Sequence, residues 1–182
     1  MDKTKTLTII EDSREQTPLD FAPYEAFGVA VERRKLRTGD YSVAGYEHHF
    51  AIERKSLNDL VSTLTHGRER FTREVYDRLS FFAFKEIVVE ADWQEISRPY
   101  DFAPGANPLG IVNSLASLTM PPVGMHVFAS RSRALIAWHI VTMAANFVRR
   151  ATHGSSGMWR SIFAPDSADL APFPAPYKTI GG

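Results

Sequence analysis

Apolar positions along the chain change their period several times, and each change marks an element. Leu7 to Ile10 is a short apolar run ending at Glu11-Asp12, which predicts a first strand. Val29-Ala30-Val31 predicts a second, leading into a basic cluster, after which Gly39-Asp40 marks a turn. From His49 to Lys55 the period is two. Phe50 and Ile52 fall on one face of that strand, and Ala51, Glu53 and Lys55 on the other. At Ser56 the period lengthens: Leu57, Leu60, Val61 and Leu64 form the buried stripe of a helix capped by Ser56 and stopped by Gly67. Phe71, Val75, Leu79 and Phe82 mark a second helix, and Glu86 to Glu90 is a compact strand. Asn107-Pro108 supplies the cap and first-turn proline of a helix carrying Ile111, Leu115 and Leu118, which Pro121-Pro122 ends. Met125 to Ala129 is a strand. Ser132 then caps a long helix carrying Leu135, Ile136, Ile140, Met143 and Phe147.

This alternation predicts an α/β fold, a mixed central sheet flanked by helices. One domain is expected over residues 1–153, followed by a proline-rich tail over residues 154–182 with prolines at 165, 172, 174 and 176. A chain of 182 residues suffices for one well-buried domain, and 44% hydrophobic with 23% charged residues excludes wholesale disorder. The absence of cysteine removes disulfides, thiolate zinc sites and thiol nucleophiles. The most apolar stretch, Ala134 to Val148, is too short for a membrane span and carries His139, Thr142 and Asn146. The N-terminus lacks the apolar core of a signal peptide. A cytoplasmic protein with no membrane partner is therefore expected.

Charge is balanced at 21 Lys+Arg against 21 Asp+Glu, so a phosphate ligand has to be met by a patch rather than by the net field. Basic residues do cluster: Arg33, Arg34, Lys35 and Arg37; Arg68, Arg70 and Arg73; Arg149 and Arg150. The chemistry concentrates elsewhere. Glu53 and Lys55 leave the same face of a strand, and Asp40, at the turn end of the preceding segment, is placed to reach that face. Two carboxylates on one edge suit a hard cation such as Mg²⁺, and a lysine beside it suits an attacking water or a developing phosphorane. The bland reading is a solvated strand face.

A longer pattern surrounds these residues. Gly39-Asp40-Tyr41 precedes Glu53-Arg54-Lys55-Ser56, and Asp59-Leu60 follow; Asp12-Ser13-Arg14-Glu15 comes after the first strand, and Gly67-Arg68 after the helix. Four elements in this order resemble the nuclease domain of XPF-type structure-specific endonucleases, in the PD-(D/E)xK, restriction-endonuclease-like superfamily. The resemblance implies that Asp40 and Glu53 ligate the metal, Mg²⁺ with Mn²⁺ able to substitute. It implies that Arg54 contributes through backbone or side-chain contacts near the metal, that Lys55 serves the attacking water, and that Asp12 completes the acidic cluster. Arg14, Glu15 and Asp59 occupy the family's supporting positions. The implied activity is Mg²⁺-dependent endonucleolysis of branched, flapped or distorted duplex DNA, leaving a 3′-hydroxyl. Relatives usually carry a C-terminal tandem helix–hairpin–helix module. Residues 154–182 are too short and proline-rich for one, so a homodimer or a partner protein is expected to replace it.

Several residues keep two readings. Asp59 belongs to the site or, with Ser56, to a helix capping box. Arg14, Arg68, Arg70 and Arg73 contact DNA phosphates, or the last three form a solvated helix face. Tyr41 stacks on or binds DNA, or fills the core. His48-His49 reads as an edge-strand pair, His66 as a partner of a helix end, and Trp93, Trp138 and Trp159 as packing residues. A rival reading of the whole chain is an inert DNA-binding scaffold of the same fold. A third, ranked lowest, is a sequence-specific restriction-type enzyme.

Overall fold

The computed structural model describes residues 6–153. Six strands form one sheet: β1 (Leu7–Asp12), β2 (Val29–Arg34), β3 (Tyr41–Val43), β4 (Phe50–Ser56), β5 (Phe84–Glu90) and β6 (His126–Ala129), in the order β2-β1-β3-β4-β5-β6. β3 runs antiparallel to both neighbours and every other pairing is parallel, so the sheet is mixed. Because β3 alone is reversed, the C-terminal ends of β1 and β4 flank the residue that enters β3. Asp12, Asp40 and Glu53 are brought to one edge by that topology, the edge where open α/β sheets place their ligands.

Helices cover both faces. The face carrying Phe50 and Ile52 packs with Tyr41, Phe84 and Val88 against Ile136, Ala137, Ile140, Val141 and Ala144 of α5 (Arg133–His153). The face carrying Ala51, Ile87 and Val89 is covered by α1 (Leu57–Leu64), α2 (Arg68–Asp77) and α4 (Pro108–Thr119) through Leu60, Val61, Leu64, Phe71, Val75, Ile111 and Leu115. The period-two reading of the fourth strand thus predicted both cores. A four-residue helix, α3 (Trp93–Ile96), precedes α4.

The caps at Asn107 and Ser132 form as expected: Leu109 N donates to Asn107 Oδ1 at 3.1 Å and Leu135 N to Ser132 Oγ at 3.1 Å. Other expectations need correction. The strand that follows the Gly39-Asp40 turn, β3, was not expected; three residues, all buried, give no period to read. Gly67 does not end α1 but opens α2, with φ −90°, and a side chain there would press on Thr63 at 3.3 Å. α2 ends at Asp77, and a 3-10 turn over Leu79–Phe81 carries the chain on. His48 and His49 lie exposed in the turn before β4, not in a strand. Trp138 is half-buried against the core, whereas Trp93 is 48% exposed. Trp159 and the expected tail lie outside the described residues. Among the described residues no helix is long and apolar enough to cross a membrane.

Candidate active site

The site begins with Gly39. Its φ is +79°, and a Cβ there would lie 3.0 Å from the Ile52 carbonyl oxygen, so both conformation and space require glycine. That close approach sets the next residue. Asp40 N donates to Ile52 O at 2.8 Å, and Asp40 O accepts from Asp12 N at 2.8 Å, so its backbone bridges β4 and β1. Its carboxylate turns to β4, where Oδ2 accepts from Arg54 N at 2.7 Å. Asp40 is half-buried. Burial, reinforced by the neighbouring Glu53 charge, pushes its pKa up to about 7 despite the Arg54 amide.

Glu53 and Lys55 leave the opposite sheet face from Arg54, as the strand alternation predicts. Lys55 Nζ lies 3.0 Å from Glu53 Oε1 and 5.7 Å from the centroid of the Phe71 ring on α2. The lysine side chain is 13% exposed and the glutamate 26%, so the pair sits at the mouth rather than in the core.

Arg54 has another environment. All three of its guanidinium nitrogens have acceptors: Nε and Nη2 on Glu15 at 3.1 and 2.7 Å, and Nη1 on Glu90 at 2.8 Å. Nη2 also reaches Thr17 Oγ1 at 2.5 Å, and Arg133 of α5 shares Glu90. Burial opposes the arginine charge, but the two glutamates outweigh it and raise its pKa above the ordinary value. For Glu15, burial pulls upward and the Arg54 hydrogen bond and Thr17 amide prevail, leaving its pKa low. Of the two kinds of contact expected of Arg54, backbone or side-chain, the geometry leaves the backbone one. Strand alternation sends the side chain to the α5 face, and only the main chain touches the Asp40 site.

Asp12 is fully enclosed. Arg14 grips it through Nε and Nη2, each at 2.8 Å, while the Arg14 and Leu36 amides donate at 2.7 and 2.8 Å. The Arg14 side-chain hydrogen bond does most to hold its pKa down at about 2. Its acceptors are filled by protein groups, so Asp12 reaches the acidic edge through Arg14, which feels the charges of Asp40 and Glu53. Tyr41, expected among the DNA contacts, is fully buried. Its hydroxyl accepts from Leu19 N at 2.9 Å and its ring meets Phe21 edge-on, so the core reading replaces that expectation.

At the start of α1, Ser56 Oγ accepts from Asp59 N at 3.1 Å and donates to Asp59 Oδ2 at 2.7 Å. Half of the expected capping box is present, and a side-chain bond replaces the other half. Arg68, Arg70 and Arg73 are exposed and make no ion pair with a described residue. Helical periodicity separates them. Arg68 shares a stripe with Phe71, on the side facing Lys55, whereas Arg70 and Arg73 share another. In the basic cluster before Gly39, Arg33 is paired with Glu11, and Arg34 with Glu32 and Glu47.

Among the described residues no group of three or more His, Asp or Glu side chains forms a ready-made metal cluster. The acidic edge offers a carboxylate pair, Asp40 and Glu53, with a lysine at its side. The residues missed by sequence reasoning are Glu90 and Arg133, which complete the Arg54 network. They lie far from the motif along the chain: the pairing of β4 with β5 brings Glu90 there, and α5 brings Arg133.

A mixed sheet with helices on both faces and this acidic edge define a restriction-endonuclease-like fold of the XPF nuclease type. The chain belongs to the ERCC4 domain family, which matches residues 11–143. No curated protein matches it in sequence. It is similar in structure to XPF from Aeropyrum pernix, with 20% identity, a TM-score of 0.61, and coverage of 80% of this chain and 67% of that one. A second XPF structure from Aeropyrum pernix, in complex with DNA, is 22% identical with a TM-score of 0.61, over 79% of this chain and 66% of that one. The chain thus spans 66–67% of the length of these XPF chains, and at such identity the likeness is one of fold.

Proposed function

We propose that the protein is a metal-dependent endonuclease that hydrolyses a phosphodiester bond in DNA, with branched, flapped or distorted duplexes as its substrate class. The observation that carries this reading is the Asp40–Glu53 pair. Two carboxylates share one half-buried strand edge, where burial first and the neighbouring Glu53 charge second raise the Asp40 pKa to about 7. A divalent cation relieves such repulsion, and hard carboxylate oxygens suit Mg²⁺, with Mn²⁺ as a substitute. The residues present fit the ion: Asp40 and Glu53 would hold it, with the Arg54 main chain beside them. When bound, Mg²⁺ would supply Lewis acidity at the scissile phosphate and an activated water.

The chain's own residues divide the rest of the work. Lys55, paired to Glu53 at 3.0 Å, brings an ammonium to the carboxylate edge, where it orients the attacking water and offsets charge gathering on the phosphoryl oxygens. In-line attack on phosphorus breaks the bond to the 3′ oxygen, which leaves as a 3′-hydroxyl after taking a proton. Arg14 and Arg68 contribute positive charge beside the edge for the flanking phosphates. A homodimer or a partner protein would supply further DNA contacts. Membership of the ERCC4 domain family and the fold shared with an XPF–DNA complex support the assignment.

The test is a panel of labelled forks, flaps, four-way junctions, linear duplexes and single strands, incubated with Mg²⁺, Mn²⁺ or EDTA. Cutting of branched members with either ion, and none in EDTA, is expected. Binding without cleavage of any member in either ion would instead favour the inert scaffold.

A further inference from the structure

A groove beside α1 is left unused by this chemistry. Asn58, Val61 and Thr65 form one wall along the helix, Phe102 and Ala103 form the other, and His66 closes the far end. It encloses about 470 Å³, within the range of sites for small organic groups. Phe102 is 47% exposed, and its ring is braced by Tyr100 at a centroid distance of 5.4 Å. Tyr100 is itself buried, with its hydroxyl donating to the Ile96 carbonyl. An aromatic plane on a rigid support therefore faces open space.

The polar groups around it are few and placed at the margins. The Asn58 amide makes no hydrogen bond with a described residue, so it offers a donor and an acceptor together. His66 Nδ1 lies 3.2 Å from Thr65 Oγ1, leaving its other nitrogen to the groove end. Position matters as much as lining. Asn58 adjoins Asp59 in the first turn of α1, two residues after Ser56, while His66 adjoins Gly67-Arg68. Along the chain, the α1 side of the groove's lining thus begins three residues after Lys55 and ends two residues before Arg68, one of the α2 arginines that no described carboxylate neutralises.

We propose that this groove receives an unpaired nucleobase of the DNA substrate, stacked on Phe102 with its edge towards Asn58 and His66, while α2 arginines meet the adjoining phosphates. The proposal rests on the endonuclease reading and narrows its substrate to DNA carrying an unpaired nucleotide close to the cut. An aromatic plane beside a cationic track is the usual way to hold single strands. A base paired within a duplex presents no face to such a slot.

The experiment uses the full chain without divalent metal, so that binding is read apart from cleavage. Forked DNA carrying 2-aminopurine at successive unpaired positions, and a fully paired duplex of the same sequence, are titrated by anisotropy and probe emission. Emission should be quenched at particular unpaired positions. Phe102→Ala should abolish the quench and weaken fork binding by about 5- to 150-fold, the range that aromatic stacking supports. Duplex affinity should not change, and Phe102→Trp should restore the fork. Ser62→Leu fills the groove from an exposed helix position and should weaken fork binding with Phe102 intact.

Unquenched probes, or unchanged fork affinity in Phe102→Ala and Ser62→Leu, would overturn the proposal and leave the groove to a peptide or a second copy. An equal loss for fork and duplex overturns it as well, by making the face generally electrostatic. The nuclease reading fails separately. A wild type that cuts forks while Phe102→Ala binds them normally loses only the groove. A wild type that quenches the probe yet cuts no DNA with Mg²⁺ keeps the groove and loses the nuclease.

Discussion

Three consecutive residues of β4, Glu53-Arg54-Lys55, send charge to both faces of the sheet, and the two faces treat it in opposite ways. On the α5 face Arg54 is 9% exposed and saturated, with Glu15, Glu90 and Thr17 around it and Arg133 sharing Glu90. On the other face Lys55 pairs with Glu53 over the Phe71 ring, and Asp40 stands beside Glu53 with the Arg54 amide and the Lys55 charge to offset its own. A saturated network has no capacity left for a ligand; it ties the loop over residues 13–18, β5 and α5 to the end of β4. An edge with surplus negative charge has capacity. The alternation of one strand thus separates the group that holds the site from the groups that act in it.

The largest break in that comparison comes from the unsaturated face. Asp40→Asn or Glu53→Gln should lower fork cleavage by at least about 10³-fold while leaving the fold intact and DNA affinity unchanged or tighter. Asp40→Asn should not lower the melting temperature, because it removes a carboxylate that burial already disfavours. Lys55→Ala should cost about 10²-fold or more in rate and little in the Mg²⁺ concentration needed for half activity. Wild-type cleavage by Asp40→Asn would sink the assignment.

The saturated face should respond in stability. Arg54→Ala leaves Glu15 buried without its cation and Glu90 with Arg133 alone, a loss of about 3–5 kcal/mol by analogy with other buried pairs. Adding Glu15→Gln should recover part of that loss, read as coupling in a double-mutant cycle from denaturant melts. Arg54→Ala with an unchanged melting temperature would show that the network only decorates the strand.

Asp12 sharpens the comparison at low pH. Its folded pKa of about 2 lies below the ordinary 3.8, so it stabilises the native state above about pH 4, and that contribution is lost as pH falls towards 2. Because Arg14 is 62% exposed, solvent screening reduces the effect to roughly 1–2 kcal/mol. Asp12→Asn should flatten that part of the acid-melting curve. An identical acid limb in the variant would mean that the Arg14 grip adds nothing.

The difference between the faces was half legible in the sequence. Period two placed Glu53 and Lys55 together, and the Gly39-Asp40 turn placed Asp40 within reach of their face. The same period placed Arg54 opposite, yet its family position drew it towards the metal. Its partners Glu90 and Arg133 come from β5 and α5, and no local pattern links them to β4. β3 escaped because three buried residues show no alternation. α3 did carry a readable sign, Asp92-Trp93-Gln94-Glu95, which forms a full capping box. Tyr41 shows the reverse failure: beside Asp40 in sequence, it points into the core because the next residue on a strand faces the other way.

The smallest effect concerns Asp59, which sits between the two regimes. Its amide donates to Ser56 Oγ, and its carboxylate accepts the Ser56 hydroxyl through Oδ2. A full capping box would instead draw the carboxylate onto the Ser56 amide, so here the side chain is held outward, exposed, in the turn that follows Lys55. Ser56→Ala removes the cap and should cost about 1 kcal/mol of stability without changing the cleavage rate. Asp59→Asn keeps an oxygen to accept the same hydroxyl, so its melting temperature should stay near wild type while one negative charge leaves the reactive edge. If that charge steers Lys55 or a water near the phosphate, the folded variant should lose about tenfold or more in turnover at saturating DNA. Equal rates for wild type and Asp59→Asn, measured beside a Ser56→Ala control that melts earlier, would make Asp59 a helix-start residue and nothing more.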